Sequence, residues 1–370
     1  MGNPGATAPS SYTVNYDALL STTLFAYRDK MVDNIFRFNA FLAALKSKDG
    51  IEYQDGGERV AQPLMYEMND TVASYKGYET ITVKPQDGIT TAFYEWSEIA
   101  GTISISHREE RQNSGEAALL KLLEKKIMQC EMSMKAAVNQ QLIAGTVNTA
   151  TFVPGNSAKD LLPLGYFLRY APATDPLAGG NVGNIAAATY PWWIPNICTL
   201  GGSKATGQKF GLTVTTYAGL KVGLHRLYNY CVRGADGSGP NLVVADQVTY
   251  ESYENALDQQ VRYTDQSMAD MGFQTIKLKG ATMVWDELVP DLYTGVLSDS
   301  SSFATGTAFF VNTQFFKLVI DKQTDFITSA FVEPENQSAK TAKVMFMGQA
   351  SVSNPRKLGM ASRISQSIVA

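Results

Sequence analysis

Histidine is nearly absent from this chain: 370 residues contain only His107 and His225. General-base catalysis at neutral pH falls most often to an imidazole, so an enzyme of the usual kind has little to work with here. His107 stands among Arg108, Glu109, Glu110 and Arg111, a charged connection in which a ring is solvated or paired, and His225, in Leu224-His225-Arg226-Leu227, reads as helix surface. Cysteine is scarce and odd in number. Cys130, Cys198 and Cys231 form no C-x-x-C, which points away from a disulfide framework and from a zinc site and leaves three small buried apolar residues. No run of about 18 apolar residues occurs, so no membrane span is expected. Positive charge is short too: 31 Lys and Arg stand against 35 Asp and Glu, for a net charge of −4. The nearest basic group, Asn354-Pro355-Arg356-Lys357, is two cations in a turn. Tight phosphate-driven nucleic-acid binding needs clustered Lys and Arg and is not expected.

Other signatures of chemistry are missing or incomplete. No G-x-S-x-G elbow is present. Gly202-Ser-Lys-Ala-Thr-Gly207-Gln208-Lys209 has glutamine where a phosphate loop has lysine, so it reads as a flexible loop. Asp286, Glu287 and Asp291 have no regular metal-ligand spacing and read as a loop after a strand. No catalytic residue, metal or cofactor is expected. Asn69-Asp-Thr71 and Asn336-Gln-Ser338 match a glycan acceptor, which carries no meaning in a cytoplasmic protein. The start, Met1-Gly2-Asn3-Pro4-Gly5-Ala6, lacks the parts of a signal peptide, and Ala6 breaks the myristoylation pattern; synthesis and retention in a cytoplasm is the expectation. The paired Trp192 and Trp193 after Pro191 read as an anchor for a loop-rich domain.

What the chain does contain is a long β-arm followed by a long helix. The arm runs from Arg59 through Tyr75 and Tyr78-Glu-Thr-Ile-Thr-Val, turns at Lys84-Pro85-Gln86-Asp87-Gly88, and returns as Ile89 through Trp96. An isolated two-stranded ribbon is marginal in water, so the arm is expected to find its partner on another chain. The helix is predicted from an Asn113 cap with Glu116 at the third position to a Gly145 stop, roughly 30 residues or about 45 Å. Its stripe of Leu119, Leu123, Ile127, Cys130, Met134 and Ala137 lines one core-facing side. Ser21–Lys46 fits one or two amphipathic helices, and Gly101–Ser106 alternates as a strand. Further on, helices are expected at Tyr217–Asn229 and Thr249–Val261, and strands at Asn241–Asp246, at Thr275–Trp285 around Lys279-Gly280, and at Ala308–Ile320. A terminal hairpin takes Phe326–Val332 and Val344–Val352. Helices and strands intersperse without βαβ spacing, which favours α+β.

The order of these elements, with Gly57-Glu-Arg-Val-Ala-Gln-Pro-Leu64, Tyr78-Glu-Thr-Ile81, Ile103-Ser-Ile-Ser106, Asn113-Ser-Gly-Glu116, Asn181-Val-Gly-Asn-Ile185, Tyr190-Pro-Trp-Trp193 and Ala281-Thr-Met-Val-Trp-Asp286, resembles the major capsid proteins of tailed bacteriophages over nearly the whole chain. The resemblance implies an HK-ninety-seven-type fold. In it, 1–55 forms an N-terminal arm and helices, 56–100 the E-loop hairpin and 101–150 the P-domain strand and spine helix. Residues 151–307 form the A-domain at capsomer centres, and 308–370 the remaining P-domain strands and terminal hairpin. It further implies hexamers and pentamers in an icosahedral shell around double-stranded DNA, hence a virion protein assembled in a host bacterial cytoplasm. The protein itself, a portal protein and weakly held DNA are its partners, with room for a decoration protein. Because the hairpin begins near residue 57, the large N-terminal scaffolding segment of some members is expected to be absent and a separate scaffolding protein to replace it. Positions expected to touch other subunits are Lys84, Pro85, Gln86, Asp87 and Gly88, then Glu335 and Asn336, then Arg356 and Lys357. Some relatives join an E-loop lysine to a neighbour's asparagine. Lys76, Lys84, Asn336 and Asn354 supply the residue types, yet neither lysine sits in a desolvated context, so no cross-link is expected. An encapsulin-like nanocompartment shell of the same fold, an enzyme with an unusual site and an adhesin using Trp192 and Trp193 remain the alternatives.

Overall fold

The computed structural model describes residues 40–112, 122–143, 159–168, 181–187, 189–204, 208–234, 237–257, 276–286, 288–289, 305–334, 338–365 and 368. The expected arm and helices before residue 40, the Asn113 cap, the Gly145 stop, and Glu335 and Asn336 lie outside these residues.

In chain order come helix α1 (Ala40–Ser47), strand β1 (Ile51–Gln54), the paired strands β2 (Val60–Met65) and β3 (Ile89–Tyr94), and β4 (Ser97–Ser106). Helices α2 (His107–Gln112) and α3 (Leu122–Ile143) follow, then the single turn α4 (Leu164–Phe167) and a small hairpin of β5 (Asn181–Val182) and β6 (Ile185–Ala186). Next are β7 (Asn196–Thr199), β8 (Phe210–Gly211), α5 (Tyr217–Val232), β9 (Leu242–Ala245) and α6 (Gln247–Asn255). The chain closes with β10 (Ile276–Leu278), β11 (Ala281–Trp285), β12 (Thr305–Val311), β13 (Phe316–Asp321), β14 (Ile327–Thr328), β15 (Ala339–Val352) and β16 (Gly359–Ser365). Two compact units divide them: the smaller includes Ala100–Met134 and Phe326–Met345, the larger takes Arg37–Ile99, Lys135–Asp325 and Phe346–Ala370.

In the smaller unit β4 alternates as expected, Ile103 and Ile105 buried and Thr102 and Ser104 exposed. Gly101 lets α3 approach, since a Cβ there would meet Cys130 Sγ at 2.5 Å. Residues His107–Gln112, read from sequence as a charged connection, are a helix. A capping box starts it: the Ser106 hydroxyl accepts from Glu109 N–H and the Glu109 carboxylate accepts from Ser106 N–H, both at 3.2 Å. Lys126 of α3 then donates to Glu109 at 2.9 Å and to the Ser104 carbonyl at 3.0 Å. Burial pushes the Glu109 carboxyl up, but Lys126 and the Ser106 amide outweigh it and hold the group below its ordinary value. The described part of the long helix runs 22 residues, about 33 Å at 1.5 Å per residue. Of its predicted stripe, Leu119 and the Leu123 side chain lie outside the described residues; Ile127, Cys130 and Ala137 are half-buried, and Met134 is buried together with Val138 and Leu142.

The larger unit holds a seven-stranded sheet in the order β10-β11-β9-β12-β16-β7-β8. It is mixed: β9 runs parallel to β11 and antiparallel to β12. All four residues of β9 are buried, as a central strand requires. Helix α5 lays Leu220, Leu224, Leu227 and Cys231 on this sheet, at spacings of four, three and four. Buried carboxylates tie the elements together. Asp246 accepts from Thr249 N–H, capping α6, and from Thr307 N–H on β12. Asp286, fully buried, accepts from the N–H groups of Phe41 and Leu288 and from the Asn139 amide. Beside this sheet β1 pairs in parallel with β13, and β13 antiparallel with the last residues of β15.

Candidate functional site

The paired strands β2 and β3 form the base of the predicted arm. Their register runs Val60↔Tyr94 to Met65↔Ile89, and period-two alternation gives the ladder two faces. Val60, Leu64, Ala92 and Tyr94 are buried; Ala61, Met65, Ile89 and Phe93 are exposed. The buried face is clamped by the β5–β6 hairpin, whose turn residues Gly183 and Asn184 both take positive φ, 60° and 66°. Gly183 is required there, since a Cβ would stand 2.8 Å from the Ala92 Cβ, and its carbonyl accepts from Phe93 N–H at 3.1 Å. Tyr94 donates to the Val352 carbonyl at 2.8 Å. Its ring continues an aromatic chain inward, edge-to-face through Phe167 and Phe316 and then tilted onto Phe41. Burial raises the Tyr94 hydroxyl far above its ordinary value.

The outer end of the ladder is held by the Tyr190-Pro-Trp-Trp segment. Trp193 is buried and donates to the Val182 carbonyl at 3.0 Å; Trp192 packs on Trp193 and stacks on Tyr66. The anchoring role expected for the tryptophans thus falls on the root of the arm. Gln349 fixes the returning strand, donating to Glu95 O and Ser97 Oγ while accepting from Leu162 N–H.

Beyond the ladder, residues 66–88 form no regular strand, so the extended run Tyr78–Val83 expected there is not a ladder strand. The turn is also not at Lys84–Gly88. Gly88 adjoins the ladder, its carbonyl accepting from Tyr66 N–H at 3.0 Å, and Tyr66 donates its hydroxyl to Asp87 O at 2.7 Å. Lys84 pairs with Asp70 across the excursion, and Gln86 accepts from Asp70 N–H. That register extrapolates to Gly77, which has φ 59°; Glu79 N–H bonds Lys76 O there, and the Glu79 carboxylate accepts from Lys76 N–H. The strong Pro-Gln-Asp-Gly turn signal therefore bends the returning limb, and Lys76–Glu79 makes the tip.

This excursion is apolar on surfaces that no described residue covers. Met65, Met68, Val72, Tyr75, Tyr78, Ile81, Val83 and Ile89 are each at least 63% exposed. At its root lies an open cleft of about 330 Å³ lined by Glu58, Arg59, Ala61 and Phe93.

Of the other positions singled out in the sequence, Arg356 is exposed but Lys357 is wholly buried. The Lys357 ammonium donates to the carbonyls of Val232, Gly234 and Ser238 at 3.0–3.3 Å, closing the C-terminal end of α5. Its ammonium is thereby withdrawn from any contact with another chain. His107 lies 3.6 Å from Glu333. His225 meets the Tyr253 hydroxyl at 3.4 Å, and desolvation, then Lys279 and Lys221, hold its ring below the ordinary value. Burial raises the Cys198 and Cys231 thiols, the latter to about 12, which leaves neither a ready nucleophile. Among the described residues no cluster of His, Cys, Asp and Glu suited to a metal ion occurs, and no helix is long and apolar enough to cross a membrane.

No protein-family model and no curated protein matches the sequence. Solved structures do match. The chain superposes on the capsid protein of cyanophage A-1(L) with TM-score 0.63 at 12% identity, over 92% of this chain and 97% of that one. On the capsid of Myoviridae phage XM1 the TM-score is 0.57 at 12% identity, over 93% and 98%. The SrpI encapsulin of Synechococcus elongatus gives 0.54 at 10% identity, over 95% and 97%. The chain has the tailed-phage major capsid fold, HK-ninety-seven-like and of mixed helix and sheet. Its structural neighbours are shell proteins, phage capsids and an encapsulin alike.

Proposed function

We propose that the protein is the major capsid protein of a tailed phage, assembling as hexamers and pentamers into an icosahedral shell around double-stranded DNA in the host bacterial cytoplasm. The observation that carries this reading is the excursion of residues 66–88 with its flanking Met65 and Ile89: eight large apolar side chains exposed on an arm that the described residues clamp at its root. Each gains about 1.5–3 kcal/mol on full burial, and apolar surface of that extent marks an interaction site. A neighbouring copy supplies the cover, since every subunit of a shell carries the same arm. The fold shared with capsid proteins supports the reading.

In this assembly Lys84–Gly88 and Arg356 touch other copies, and Glu335 and Asn336 join them. A portal protein, a separate scaffolding protein and a decoration protein complete the particle, and a chain of net charge −4 holds DNA only weakly. The likeness to an encapsulin favours one second reading, a nanocompartment shell. Negative-stain microscopy of the expressed protein, alone and with its neighbouring gene products, tests both. Closed shells are expected; nuclease-protected DNA inside supports the phage reading, an enzyme inside the other, and dispersed protein under all conditions refutes both.

A further inference from the structure

The larger unit gathers a cationic face from residues far apart in sequence. Phe210 stacks on Tyr230, centroids 5.6 Å apart and planes 24° apart. The Arg226 guanidinium lies 5.3 Å from the Phe210 ring centre, and that of Arg233 4.3 Å from the Tyr230 ring centre. Lys209 precedes Phe210, half-buried, with Lys204 and Arg356 close enough to act on it. Desolvation first, then these two cations, hold the Lys209 ammonium below the ordinary lysine value. Between Asp175 and Asp246 the sequence has one carboxylate, Asp236, against Lys204, Lys209, Lys221, Arg226 and Arg233. Arg59, Lys84 and Lys126 each have a carboxylate partner, whereas among the described residues none of Lys204, Lys209, Arg226, Arg233 and Arg356 forms an ion pair. A guanidinium laid on an aromatic ring is pre-organised, its N–H edge free for a carboxylate.

The open edge of β1 carries the opposite sign. Glu52 and Asp55 are exposed and Asp325 half-buried. Asp55 accepts from the Gln323 amide and Asp325 from the Tyr53 hydroxyl, and among the described residues none of the three forms an ion pair.

We infer that the Lys209, Arg226, Arg233 and Arg356 face of one copy docks on the Glu52, Asp55 and Asp325 edge of a second copy. This rests on the shell reading above and adds a polar contact apart from the hairpin. One chain carrying both halves makes a head-to-tail contact, the kind that closes rings. The same chain supplies three carboxylates without an ion pair among the described residues to set against the four cations, so a second copy provides the complementary charge. Complementary faces speed encounter and reject wrong pairings more than they add affinity, so the contact governs the rate and fidelity of assembly.

The test uses the full chain in light-scattering assembly assays at low and high salt. R226E/R233E/R356E and E52K/D55K, each alone, should slow assembly by about tenfold or more at low salt and flatten its salt dependence. Combined in one chain, the two reversals should restore both. The neutral R226Q/R233Q/R356Q, with melting of the unassembled chain as a folding control, should show an intermediate loss. Wild-type rate and salt dependence in the R226E/R233E/R356E variant overturn the contact. So does normal assembly of shells that retain less DNA, which assigns the face to nucleic acid. Wild-type protein that stays dispersed at every salt overturns the shell reading and this contact with it.

Discussion

Tyr66 lies flat on Trp192, ring centroids 5.3 Å apart and planes 17° apart. This stack sits where the ladder ends and the uncovered excursion begins, so it sets how far the arm is held. Trp192→Ala should cost about 1–3 kcal/mol, between an exposed aromatic pair and a buried tryptophan. Amide exchange should speed up at Tyr66, whose N–H bonds the Gly88 carbonyl, while the seven-stranded sheet keeps its protection. Unchanged exchange at that amide would show that the stack does not hold the arm.

Met128 is 52% exposed on α3, so a substitution there tests the backbone rather than the packing. Met128→Pro removes a helix hydrogen bond and clashes with the preceding turn, costing about 3 kcal/mol or more. Met128→Ala should be neutral within about 0.5 kcal/mol. Denaturation midpoints and particle yield check both; particles at normal yield from the proline variant would contradict a continuous helix.

The Asp321 carboxylate accepts from the Thr324 hydroxyl and from the Gly56 and Gln323 N–H groups. The Thr324 hydrogen bond first, against some desolvation, then the backbone donors hold its carboxyl below the ordinary value. A group whose folded value is depressed stabilises the fold above its unfolded value, about 3.9 for Asp, and loses that contribution as pH falls through the folded value. Thermal stability measured below about pH 4 should therefore fall less steeply in Asp321→Asn than in the wild type, because the variant has already lost this group. Parallel curves would remove Asp321 from the account.

Lys84 pairs with Asp70 on the excursion and Asn354 caps a turn by accepting from Arg356 N–H, so neither is poised for an isopeptide bond. Boiled particles should run as one band near the chain mass of 40.3 kDa. A ladder of multiples under reducing conditions would show a cross-link, and replacing Lys76 and Lys84 in turn would locate it.

What was legible in the sequence follows the range of each signal. Alternation in Ile103-Ser-Ile-Ser and the apolar run of Leu242–Ala245 are local and marked their strands. The arm was legible as a ribbon, but Pro85-Gln-Asp-Gly88 outweighed the register, which depends on pairings such as Tyr66 with Gly88 that no local pattern encodes. The helix at His107 carries a local signal, Ser106 with Glu109 three residues on, masked by the run of charged side chains around it. Lys357 read as a surface cation because only the fold brings the carbonyls of Val232, Gly234 and Ser238 around it. The cationic face escaped for the same reason, built from positions 209, 226, 233 and 356.

In the proposed shell, residues 66–88 of each subunit are covered by another copy of the chain. Cryo-electron microscopy of particles assembled from the full-length protein measures this directly. A closed shell is expected in which Met68, Val72 and Tyr78 pack against a neighbouring subunit. A shell in which the excursion projects into solvent, or folds back on its own subunit, would contradict it.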